Sequence, residues 1–520
     1  MKNIISFLSA AVLFLCAPGL LSASDANSDN NSNNEEAVKK KNELAANFPF
    51  SKSSSQIEKD KVVGLRIEQG TITHLGRENT FYSEAMPSGE EGFSNLNFFS
   101  QYPELLSVEI KGIELSSQDL ENICNFISSS KKIKNLVFDS CVIAEEDTKY
   151  ITDTIEKLDS LIAVSVKFLK TKNKKGKIVD ISPQAIQDIT QAISVRKNLT
   201  SLSVAFDVIT KKSCEHIISA INQSNNMAML SLCWNEIVGE EIEKPYNELS
   251  ETLSSLKELK TLCLSIMYVP EACIDAQIES ISKLQKLTNL TYLVGNLKDT
   301  KEVFEHATNL GKALEKLPLI SSLRLQNMGL PATATQPIMQ SFSKLTKLTY
   351  LDMSGNKIDK EGGVIVGDSL KSAESLRALI MRNCDISAET SAEISKAFSS
   401  TSLTIICLGN NRIKEGIRTL QLSDCPYLRC IDLAMNGASA DDIMAFVEST
   451  ISLENLNTAD LRNNSDISGK QRDEIARRKA DNKSTTMYLV ECDLPKRAIL
   501  KKVRENSDEN NNPEKDARER

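Results

Sequence analysis

The sequence predicts an α/β solenoid: a right-handed superhelix of strand-and-helix coils, bent into a horseshoe with a parallel sheet on its concave side and helices on its convex side. Three observations carry that expectation. Aliphatic residues recur in one fixed pattern from about residue 62 to residue 482. The stretches between copies of the pattern have the apolar spacing of amphipathic helices. Finally, 520 residues are too many for one ordinary core, yet no shift in composition divides them into unrelated domains.

The repeat is clearest late in the chain. Leu348, Leu351, Met353, Asn356 and Ile358 follow LxxLxLxxNxL, and Leu376, Leu379, Met381, Cys384 and Ile386 repeat it with Cys in place of Asn. Leu403, Ile406, Leu408, Asn411 and Ile413 come next, then Leu428, Ile431, Leu433 and Asn436, then Leu456, Ala459, Leu461 and Asn464. Read backwards, first positions fall at 320, 290, 259, 227, 199, 161, 133, 105 and 62, most of them 25 to 32 residues apart. The copies at Leu161 and at Leu290 with Leu293 are degenerate and are placed by spacing. Two longer intervals mark insertions, at about residues 76–100 and at the Lys-rich stretch Lys170 to Val179, which reads as a solvated loop.

Each part of the pattern has a physical role. In LxL, alternation puts two aliphatic side chains on one face of a short strand, and stacking such strands in parallel makes a continuous buried seam. The Asn or Cys then turns the chain inward and can bond backbone groups that the turn leaves unpaired. Helices follow: Leu120, Ile123, Cys124 and Ile127, then Cys214, Ile217, Ile218 and Ile221, then Ile443, Phe446 and Val447, lie on single helix faces. Ser116, Ser182 and Ser387 are expected N-caps. Strands pair at about 4.8 Å while helix axes need about 8–10 Å, so a stack carrying both on opposite sides must bend.

These features resemble ribonuclease-inhibitor-type leucine-rich repeats, on the 28-residue step from Leu348 to Leu376 and the Asn356, Cys384, Asn411 alternation. The resemblance spans about residues 62–482; the same repeats occur in ribonuclease inhibitor, NOD-like receptors and the Ran GTPase-activating protein. It implies the scaffold and leaves open what the scaffold holds.

The flanks differ from the array. Residues 1–23, with Lys2, an apolar run from Ile4 to Leu15 and Leu21-Ser22-Ala23, read as a signal peptide. Residues 24–56 read as a disordered polar linker and 57–104 as an N-terminal repeat with an aromatic-rich cap or insert. Leucine-rich repeats are assigned to 105–482, a C-terminal cap to 483–500, with a strand at Met487-Tyr488-Leu489-Val490, and a disordered tail to 501–520. Of twelve Cys, eleven follow the signal peptide, in no spacing that suggests disulfides or a metal site. The expected destination is secreted or periplasmic; free thiols sit uneasily with an oxidising space, and delivery into a reducing compartment such as a host cell's cytosol is one way to reconcile the two.

Chemistry is sparse. The three His, at 74, 216 and 306, fall in separate repeats, and no phosphate-loop motif is present, so no catalytic, cofactor-binding or metal-binding residues are assigned. Net charge is −8, from 62 basic and 70 acidic residues interspersed along the chain, which argues against a nucleic-acid partner. No later segment has the length of a transmembrane helix.

Function is therefore expected on the concave strands, between the aliphatic positions. Ala163, Ser165, Ser201, Ser203, Ser231, Thr261 and Ser265 make a small, neutral centre. Arg324, Tyr350, Asp352, Arg382, Asp432, Asp460 and Arg462 add charge and an aromatic ring, and are the predicted protein-binding residues. The reading is a secreted, non-enzymatic, monomeric scaffold, a bacterial effector or surface factor that binds a host protein. A Ran-type GTPase activator and a structural envelope or adhesion protein are the alternatives.

Overall fold

The computed structural model describes residues 62–68, 71–76, 81–85, 102–172, 176–295, 300–423, 425–450, 453, 455–456, 458–465, 470 and 487–489. The predicted signal peptide, linker and tail lie outside them. The chain forms two compact units, Met1–Glu248 and Leu249–Arg520. Each is a stack of strand-and-helix coils.

In the first unit, parallel strands run in the order Val62–Glu68, Ser107–Lys111, Asn135–Asp139, Ala163–Lys167, Ser201–Ala205 and Met229–Trp234. The register aligns the seam the repeat predicts: Leu65, Val108, Leu136, Val164, Leu202 and Leu230 lie opposite one another in turn, all buried. Helices Ser117–Ser129, Thr148–Lys157, Pro183–Ser194 and Lys211–Asn222 bury Leu120, Ile151, Ile186 and Ile217. Ser116 and Ser182 cap two of them, each side chain accepting an N–H three residues on.

Two stretches of this unit differ from the repeat. After Val62–Glu68 the chain turns back into antiparallel strands Thr71–Gly76 and Phe81–Ala85 where a coil would place a helix, so the unit predicted to begin at Val62 continues as a hairpin and not as a repeat. The Lys-rich insertion is not a loop throughout. Lys170–Lys172 and Ile178–Asp180 pair antiparallel, with Lys170–Lys172 parallel to Val142–Ala144. Thr171 is fully buried there, and Lys170 bonds Asp207 at 2.9 Å and also pairs with Asp180. Carboxylates meeting the basic side chains make the hairpin stable where lysines alone would repel.

In the second unit the parallel order is Thr261–Ile266, Asn289–Val294, Ser322–Arg324, Tyr350–Asp352, Ala378–Ile380, Ile405–Cys407, Cys430–Asp432, Thr458–Asp460 and Met487–Leu489. Helices Glu271–Ser282, Thr300–Glu315, Ala332–Gln340, Lys360–Leu370, Ala388–Ser395 and Ala440–Thr450 alternate with these strands. A 3-10 turn, Lys414–Thr419, replaces the helix in the short coil that begins at Leu403.

One coil starts earlier than the spacing placed it. Leu262 faces Leu290 and Leu264 faces Tyr292, so the repeat begins at Leu287 and not Leu290. Tyr292 is 1% exposed in the core, and Leu293 turns to the other face. A side-chain period of two makes this three-residue misreading, like any odd one, swap faces, and a tyrosine at an aliphatic position invited it.

The Asn ladder explains why coils stack so regularly. The Asn411 side chain accepts from Cys384 N–H (2.8 Å) and Ile386 N–H (3.2 Å) and donates to the Met381 and Leu408 carbonyls, both at 2.9 Å. Each such residue thus ties its own turn to the preceding coil. Asn356, Asn436 and Asn464 do the same for their coils. Cys384 substitutes partly: its thiol, pushed up to about 11 by burial, stays protonated and donates to the Met353 carbonyl at 3.5 Å.

Candidate functional site

The seven predicted residues all lie in the second unit, on the strand face away from the helices. Register sorts them into lines. Ser322, Tyr350, Ala378, Ile405, Cys430 and Thr458 form one line, and Arg324, Asp352, Ile380, Cys407, Asp432 and Asp460 the next. Arg382 and Arg462 follow two residues beyond Ile380 and Asp460, at the strand ends.

Arg324 stacks its guanidinium 4.4 Å from the centre of the Tyr350 ring. Its Nε is buried and has no hydrogen-bond partner among the described residues. Burial, and then the Asp352 charge, push the Tyr350 hydroxyl above its ordinary range, so it remains a donor at neutral pH.

The three aspartates share one local role. Asp352, Asp432 and Asp460 each accept, through Oδ1, the backbone N–H two residues on, at 3.0, 3.0 and 3.1 Å. That bond closes a turn at the end of each strand. Asp352 and Asp432 are only 2% and 4% exposed, so they are not the projecting contacts the sequence reading made of them. Their carboxylates are short and lie beneath longer neighbours: Gln326 donates to Asp352, and Arg382 pairs with Asp432.

Arg382 reaches Asp432 across an intervening coil, where Gly409 leaves the space open. Burial pushes Asp432 above its ordinary range, against the turn N–H and Arg382, which pull it down. Asp460 goes the other way. Burial would raise it, but the Arg462 side chain, bonded at 2.9 Å and 2.6 Å, and the Arg462 N–H hold it below the carboxylate range.

Two residues the sequence reading passed over complete the face. Ile405 is 37% exposed, and Ile380 is half-buried on the next line. Both stand where the repeat has polar residues elsewhere, a signal present in the pattern but read only for charge. An aliphatic centre therefore lies between the Arg324–Tyr350 stack and the Arg382–Asp432 and Asp460–Arg462 pairs.

The first unit's corresponding face corrects another expectation. Ala163, Ser165, Ser201 and Ser203 do not open to solvent; all are buried, at 2–5% exposure. No group of three His, Cys, Asp or Glu suited to a metal occurs among the described residues. No helix among them is long and apolar enough to cross a membrane.

A family model described as a leucine-rich repeat matches residues 344–364, the coil that carries Tyr350, Asp352 and Asn356. NLR family CARD domain-containing protein 4 of Bos taurus is 24% identical over 360 residues, 67% of this chain and 32% of that protein. NACHT, LRR and PYD domains-containing protein 5 of Homo sapiens is 32% identical over 118 residues, 21% of this chain and 10% of that protein. The chain spans about a third or less of the length of these curated relatives. A crystal structure of an internalin from Listeria monocytogenes aligns with 73% of this chain and 84% of that one, at 15% identity and a TM-score of 0.36. The stacked coils, their Asn and Cys turns and the match over 344–364 agree, and the chain is a leucine-rich-repeat protein.

Proposed function

We propose that the chain is an exported protein-binding scaffold that engages a host protein through the strand face of its second unit. The observation that carries this reading is the exposed Ile405 beside Ile380, flanked by the stacked Arg324 and Tyr350 and by Arg382. An apolar centre bordered by arginine and tyrosine is the composition that concentrates binding energy in protein interfaces. The aspartates serve the site indirectly, by fixing strand ends and aiming arginines.

Export through residues 1–23 and a reducing destination fit together. All ten described cysteines are free thiols, and seven of the ten fall in strands or helices of the coils, where they pack as small apolar groups. A scaffold with these thiols keeps its fold best where disulfides do not form.

The test is affinity capture from host-cell lysate with the mature chain, with an Arg382→Glu/Ile405→Asp variant, and with a Lys360→Glu/Lys371→Glu variant on the helix side. Proteins retained by the first and third and lost by the second support the reading. Identical capture by all three would end it.

A further inference from the structure

Charge on the second unit's strand face is arginine above and aspartate below. In the six strands from Ser322–Arg324 to Thr458–Asp460, with the two residues on either side of each, five arginines and three aspartates are the only charged residues. Only 17 of the chain's 62 basic residues are arginine, and its net charge is −8, so a surplus of arginine here runs against the composition of the whole. Burial widens the imbalance. The Arg382 and Arg462 side chains are 43% and 46% exposed, whereas Asp432 is buried beneath the first and the Asp460 side chain is 15% exposed beneath the second. Asp352 is buried too, its oxygens taken by the Ser354 N–H and by Gln326, and Arg324, opposite it in register, lies on the Tyr350 ring instead. The other two arginines, Arg377 and Arg429, are exposed and meet no carboxylate among the described residues. Each directly precedes a strand that borders the strand of Ile405, and two strand spacings put them about 10 Å apart.

We propose that the partner segment this face takes is acidic: an extended stretch of polypeptide that sets an aliphatic or aromatic side chain on Ile405 and carboxylates on Arg377 and Arg429 to either side. The inference rests on the strand face of the second unit being the binding surface, and adds the chemistry of what binds. Charge complementarity selects the occupant, because the charge within reach of a partner is cationic while the aspartates that balance it lie underneath. The residue type agrees. A guanidinium presents a planar fork of donors that matches a carboxylate in two parallel bonds, and a chain rich in lysine has only arginine here. Spacing sets the motif, since about 10 Å is about three residues of extended chain, so two acidic residues straddle one apolar residue. Nucleic acid fits less well. Its bases need open aromatic faces to stack on, and the centre of this surface is Ile405 and Ile380, with Arg324 already on the Tyr350 ring.

The experiment pans a phage library of random dodecapeptides against the full mature chain and measures the enriched peptides by fluorescence anisotropy. Enrichment of two Asp or Glu within about three residues of each other, around an apolar residue, is expected. Arg377→Gln/Arg429→Gln should weaken these peptides at least ten-fold with Tm unchanged, and Arg377→Lys/Arg429→Lys should recover only part of the loss. Raising salt from about 50 mM to about 500 mM should weaken them at least five-fold. Peptides that lose affinity with Ile405→Ser, carry no acidic enrichment and bind the Arg377→Gln/Arg429→Gln variant unchanged would overturn the acidic segment and leave the face as a binding surface. Peptides indifferent to both variants, or a library that enriches nothing, would overturn both readings. A fluorescein-labelled oligouridine bound as tightly as the best peptide, and released by the same arginine changes, would give the arginines to phosphates and overturn the proposal.

Discussion

Arg382 and Asp432 form an ion pair across two coils, over the gap left by Gly409. A Cβ placed on Gly409 would lie 2.7 Å from Asp432 Oδ2, and Asp432 cannot retreat, since its other oxygen accepts the Ala434 N–H. Gly409→Ala should therefore displace the carboxylate and loosen the pair, at a cost of about 1–3 kcal/mol. Urea denaturation of the variant measures this; unchanged stability would mean the pair does not need the gap.

Removing one partner tests the pair itself. Arg382→Met leaves Asp432, 4% exposed, charged without its cation, while the 43% exposure of the Arg382 side chain moderates the loss. The expected cost is about 1–2 kcal/mol after allowing for solvent screening. Asp432→Asn in the same background should recover part of it, and a double-mutant cycle reads the coupling.

Met435 sits in left-handed backbone, φ +58°, and is half exposed. The same position in other coils holds Asn327, Gly355, Asn383, Asn410 and Asn463, residues that take this conformation more readily. Met435→Asn should stabilise the protein by about 1 kcal/mol, seen as a raised Tm. A lowered Tm would assign the methionine a packing role.

The ladder should be far more sensitive. Asn411→Ala deletes five buried bonds and strands the N–H groups of Cys384 and Ile386. A loss of about 3 kcal/mol or more is expected from denaturant titration.

Acid should act on the two aspartates with opposite sign. Asp460 is held below its ordinary range, so its contribution is present above about pH 4 and is lost as pH falls through the lower folded value. Asp432 is raised by burial, so its charged form costs stability at neutral pH, and that cost is relieved as pH falls through the raised value. Asp460→Asn should flatten the acid-side decline in stability, and Asp432→Asn should steepen it, in urea titrations from pH 7 down to about pH 3.

Much of the scaffold could be read from residue types alone, because the strand period and the Asn turn are local. Leu351, Asn356 and Ile358 announce their positions without reference to neighbours. What failed was what depends on the coil next door. Tyr292 hid a register, and the lysines at 170 and 172 formed a strand because Asp180, Asp207 and Glu114 answered them. Asp352 and Asp432 looked like contacts, and their burial follows from Gln326 and Arg382 crossing over them. Ile405 was the reverse case, an aliphatic residue that the period of two alone places outward.

The central claim is that recognition belongs to the strand face around Ile405, and calorimetry with a captured partner tests it most directly. Ile405→Asp should weaken the Kd at least ten-fold with no change in Tm, while Lys371→Glu on the helix side should leave it within two-fold. Affinity that survives Ile405→Asp and falls with Lys371→Glu would place recognition on the helices and contradict the account.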